Sequence, residues 1–115
     1  MAVTALTFGS QTAVVNTEHF VSDVSTAGVF LSVFDLNAMV AGDVVELRAY
    51  ARTLTGGSVR EEYCGRFYGA QTNSPIKRSR PLSNDLTDSQ SLRFSLKQTA
   101  GTTGRLFPWK VLSHT

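Results

Sequence analysis

Short runs of Val, Thr, Phe and Leu, each closed by a cluster of Gly, Ser, Asn or Asp, recur along the whole chain, and no segment carries a sustained helical stripe of apolar residues. That rhythm restricts the chain to an all-β fold. It places strands at Ala2 to Phe8, Thr12 to Val24 with a break near Asn16, Gly28 to Leu36, Asp43 to Leu54, Val59 to Gln71, Pro75 to Leu82, Ser91 to Gln98 and Arg105 to Leu112. A length of 115 residues suits one compact core. The expected architecture is a single antiparallel β-sandwich domain over residues 1–115, with about eight strands in a jelly-roll-like or immunoglobulin-like order.

The strongest turn signal is Thr55-Gly56-Gly57-Ser58, where two adjacent glycines can take the positive φ angles of a two-residue hairpin. With Thr55 opposite Ser58, Arg52 is expected to face Glu61, Tyr50 to face Tyr63 and Ala49 to face Cys64. Each favourable pair of this kind contributes about 0.2–1 kcal/mol. In this register Val45, Leu47 and Ala49 share one face and Val44, Tyr50, Tyr63 and Phe67 the other. A patch of Arg48, Tyr50, Arg52, Glu61, Tyr63 and Phe67 combines aromatic area with planar charged donors, the residue types enriched at interfaces. It is the expected protein-binding surface, with the sandwich core as the alternative for that face.

Elsewhere, Met39 and Val40 are expected to fold over one end of the core, with Gly42 permitting the reversal into the next strand. Pro75 and Pro81 bracket Lys77, Arg78 and Arg80, which marks an edge strand or an excursion across the surface carrying one basic cluster. That cluster could meet an acidic protein patch or phosphate, but no aromatic residues are interleaved with it for base stacking. Pro108 likewise suggests an edge or a bulge. The first few residues, the segment from Lys77 to Asp88 and the last residues, Ser113, His114 and Thr115, are expected to be mobile until neighbours order them.

Candidate chemistry is sparse. Cys64 is the sole cysteine, so neither an internal disulfide nor a zinc motif is available, and a small, partly buried side chain is expected there. His19 and His114 have no motif partner. Glu61 and Glu62 alternate across a strand and do not form an acid–base dyad. The glycines lack the strand-to-helix setting of a phosphate loop. The reading is therefore of a non-enzymatic protein with no cofactor and no metal. A formal charge of +2 disfavours nucleic acid as the main partner. The opening MAVTALTFGS lacks the basic start and apolar run of a signal peptide, and no stretch approaches membrane-spanning length, which leads to the expectation of a soluble protein made in a cytoplasm.

The run from Val29 to Phe34, followed by Asp35, Leu36, Met39, Gly42, Asp43, Glu46 and Arg48, resembles the middle of small tailed-bacteriophage proteins encoded among head genes. The closing Pro108 to Val111 also fits that group. The resemblance implies a virion location and a capsid decoration or cement role, with major capsid protein subunits and further copies of the chain as partners. A head–tail connector or tail component, or a small carbohydrate- or nucleic-acid-binding module, are the alternatives.

Overall fold

A computed structural model of the chain describes residues 2–114. Among them are nine strands: β1 (Val3–Thr12), β2 (Glu18–Val24), β3 (Gly28–Asp35), β4 (Val44–Arg52), β5 (Val59–Tyr68), β6 (Ile76–Arg78), β7 (Leu82–Asn84), β8 (Leu92–Ala100) and β9 (Leu106–His114). One sheet runs β1-β9-β3-β6, with β7 also on β3, and the other runs β2-β8-β4-β5. Every pairing is antiparallel.

The pairings nest. β4 meets β5, β3 meets β6 and β7, β2 meets β8, and β1 meets β9. The chain is thus one long ribbon doubled back at the β4–β5 turn and wrapped across itself, which is jelly-roll connectivity and not the immunoglobulin order. The strands β6 and β7 act as one edge strand interrupted at Ser79 to Pro81, so the expected eight strands become nine segments. Ser79 bridges the interruption: its hydroxyl accepts from the Ser32 amide and its own amide donates to the Ser32 carbonyl.

Between the sheets lie two apolar clusters, one built on Phe34, Leu47, Leu96 and Phe107, the other on Phe30, Leu82, Phe94 and Val111. Alternation along the strands supplies both, since Leu92, Phe94 and Leu96 on β8 and Val45, Leu47 and Ala49 on β4 all point inward. Both ends are closed by buried polar groups. At one end Asp43 accepts hydrogen bonds from the Val40 amide and the Arg105 guanidinium, each at 3.0 Å, while Gln98 accepts from the Arg105 amide and donates to the carbonyls of Ala100 and Thr103. At the other, Asn84 donates to the Thr26 and Leu86 carbonyls and to Ser91, whose hydroxyl reaches the Val24 carbonyl.

Several expectations require correction. The tight turn runs from Leu54 to Gly57, whose amide donates to the Leu54 carbonyl, and Gly56 takes the positive φ of 76° without Gly57 doing so. Long-range contacts select this turn: the Gly56 amide donates to Asp88, and Arg52 donates to the Gly57 and Ser89 carbonyls. Arg52 therefore pairs with Val59 and Tyr50 with Glu61, and a bulge then brings Ala49 opposite Tyr63 and Arg48 opposite Cys64. Tyr50 and Tyr63 do not face one another.

Met39 does cover the core end, but Val40 is exposed. Cys64 is exposed, because the shifted register turns it outward. Pro108 lies in β9, an interior strand, and is tolerated because the ladder to β3 stops at Trp109, leaving only the β1 side paired at that point. The polar stretch from Lys77 to Asp88 is anchored by buried Ser79, Leu82 and Asn84, β1 is paired with β9 from Val3 onward, and β9 continues through Ser113 and His114, which pair with both β1 and β3. Thr115 lies outside the described residues.

Candidate protein-interaction surface

The shifted register splits the expected aromatic patch between the two sides of its sheet. Tyr63 and Phe67 face inward and pack against the core clusters, with Gly65 between them. A side chain at Gly65 would collide with the Tyr63 hydroxyl and press on the Phe67 ring, so the missing Cβ lets both aromatics lie against the sheet. Arg48, Tyr50 and Glu61 remain on the outer face; Arg52 is engaged with the turn carbonyls.

On that outer face polar groups satisfy one another in an ordered band. The Glu18 carboxylate accepts from Tyr50 and Ser95, both at 2.6 Å, and Tyr50 accepts a long bond from Arg48. Glu46 takes Arg48 on one oxygen and Arg66 on the other. Nε of Arg48 is buried and lies 3.4 Å from Glu61, close enough for an ion pair but without hydrogen-bond geometry. Arg93 stacks over Phe20 at 3.7 Å while paired with Asp23, and Phe20 in turn contacts Tyr50. Burial alone would raise the Glu46 carboxyl, but the Arg66 hydrogen bond and the charges of Arg48 and Arg66 outweigh it and hold Glu46 below its ordinary value. Burial, reinforced by the bond to Glu18, pushes the Tyr50 phenol up against the pull of Arg48. A band so self-satisfied has few groups left to offer a partner.

The basic cluster is also divided. Lys77 points inward, its ammonium 5.1 Å from the centre of the Phe67 ring. Arg80 reaches Glu62. Arg78 alone turns to the outer face of the β1-β9-β3-β6 sheet. His19 acts as a local brace, accepting from the Val14 amide and contacting Gln11.

That second outer face is where apolar surface is left uncovered. Val3 and Phe8 on β1, Ile76 on β6 and Leu106 on β9 are exposed, Phe8 to 76%, and Leu31, Val33, Pro108 and Leu112 lie among them on the same side. One row across four strands reads Phe8, Lys110, Val33, Arg78. A shallow depression of about 540 Å³ lies over this row and takes in Asp35, Ile76 and Pro108. The face is thus apolar with two cations and one carboxylate set into it. Its sequence signal is β3, where Val29, Leu31 and Val33 alternate with Phe30 and Phe34, so that both faces of one strand are apolar.

Among the described residues no group of three or more His, Cys, Asp or Glu side chains is placed to hold a metal ion. No helix is long and apolar enough to cross a membrane. Comparison of the chain with protein-family models, curated proteins and solved structures gives no match.

Proposed function

We propose that this chain is a non-catalytic structural protein of a tailed-phage virion, a decoration or cement subunit that binds major capsid protein subunits through the outer face of the β1-β9-β3-β6 sheet. The observation that carries the reading is the apolar outer face on which Val3, Phe8, Ile76 and Leu106 are exposed. Contiguous apolar surface on a folded domain marks an interaction site. The cations Lys110 and Arg78 suit a partner whose own apolar patch is rimmed by carboxylates.

Jelly-roll connectivity occurs in viral coat domains but also in lectins and cupins, so connectivity alone does not choose among them. The choice rests on the apolar face together with the resemblance carried by the Val29 to Arg48 segment. The protein would be made in the host cytoplasm and reside in the capsid.

Quantitative mass spectrometry of purified particles tests this. Symmetry sets the expected numbers: on the order of hundreds of copies for a shell-wide subunit, against about a dozen or fewer for a connector or tail ring. Absence from particles would overturn both forms of the virion reading.

A further inference from the structure

The four sheet edges are not equally protected. At one, β6 and β7 are only three residues each, with Pro81 between them. The β5 edge carries Arg60, Glu61, Glu62 and Arg66, and the β2 edge carries Glu18, His19 and Asp23. Short strands, proline and charge are the usual devices against edge-to-edge pairing. Strand β1 has ten residues, VTALTFGSQT, with neither charge nor proline, and among the described residues its backbone ladder pairs only with β9.

Its first half is also uncovered from both sides. Val3, Thr4, Ala5 and Leu6 are all exposed although successive residues point to opposite faces. Between Leu6 and Thr7 on β1 and Val21 to Thr26 at the end of β2 is an open depression. A bulge at Leu6, between Ala5 and Thr7, divides the strand into two arms.

We infer that β1 pairs with β1 of a second copy about a two-fold axis near Leu6 and Thr7, joining the two β1-β9-β3-β6 sheets into one. An edge-to-edge two-fold makes the strands antiparallel, and an uncharged strand meets its own copy without repulsion. The bulge fixes the register. It shifts the outward-facing positions from Val3 and Ala5 to Phe8 and Ser10. Residues opposite one another must lie on the same face, so Val3 aligns with the second copy's Ser10, Thr4 with Gly9 and Ala5 with Phe8. The exposed arm of each copy is then paired, and the two apolar outer faces become continuous. This inference concerns the isolated protein and does not rest on the virion reading: a monomer in solution leaves that reading standing, and absence from particles leaves the dimer standing.

Analytical ultracentrifugation over micromolar to millimolar concentration should show a mass rising to twice that of the monomer. Leu6→Lys, a charge placed next to the axis on an exposed position, should return the protein to monomer with an unchanged melting curve. Ala5→Cys and Phe8→Cys proteins, each with Cys64→Ser, should form a disulfide-linked dimer when mixed and oxidised but not when oxidised separately. A monomer at every concentration, a dimer that survives Leu6→Lys, or no cross-link on mixing would each overturn the inference. A dimer broken by Phe8→Lys but not by Leu6→Lys would place the contact on the sheet face instead of the edge.

Discussion

The fate of two tyrosines shows how much a single register step decides. Tyr50 and Tyr63 carry the same side chain, yet one is held on the outer face by Glu18 and Arg48 and the other packs against the core beside Gly65. Tyr63→Ala should therefore lower the melting temperature of the free protein, with a loss of about 2 kcal/mol, less than the roughly 3–5 kcal/mol of a fully buried aromatic because Tyr63 is half-buried. Phe8→Ala should do the opposite: melting unchanged, since the ring touches mostly solvent, and particle attachment weakened by about 1–2 kcal/mol in a sedimentation assay. Glu46 adds a pH dependence of known sign. Its carboxyl titrates lower in the folded protein than in the unfolded chain, so its stabilisation is complete above the ordinary value of 4.5 and is lost as pH falls through the lower folded value. Melting temperature should drop across that acid range, and the drop should be smaller in Glu46→Gln; equal slopes in the two proteins would remove Glu46 from the explanation.

Individual strands were legible because alternation and turn residues are local, and the inward rows on β4 and β8 follow from them directly. Their alignment was not. A Gly-Gly pair admits more than one turn, and the choice between them is made by Asp88 and Ser89, some thirty residues away in sequence, through contacts no local pattern contains. The same limit hid the outer apolar face, whose members come from β1, β3, β6 and β9, although β3 carried the sign in its apolar residues at both parities. Loop closure also depends on such distant partners. Gly104 passes so close to the Ala13 carbonyl that any Cβ would overlap it, and Asp43 ties Arg105 to the β3–β4 connection. Gly104→Ala should force the β8–β9 loop away from Ala13 and lower stability by more than the ordinary cost of a glycine substitution. Asp43→Asn leaves Arg105 without its carboxylate and should cost about 3 kcal/mol; urea titration of each variant measures both effects.

At the scale of the molecule, the two sheets differ in character: the β2-β8-β4-β5 sheet turns a self-paired polar band outward, and the β1-β9-β3-β6 sheet turns out apolar surface with few charges. That asymmetry gives the protein a wet side and a sticky side, which suits a subunit lying on a larger surface. The nested strand order has a further consequence in time. Since β9 sits between β1 and β3, β1 has no ladder neighbour among the described residues until β9 has emerged from the ribosome. Half of the sandwich can begin to form around the β4–β5 turn, but the other sheet stays open at its centre until β9 is available. The β1-β9-β3-β6 sheet is accordingly expected to close only after β9 has emerged, with the uncharged β1 unpaired until then. A nascent chain stalled before Leu106 should be cut readily within β1 by protease, whereas one extended by an unstructured linker beyond β9 should resist.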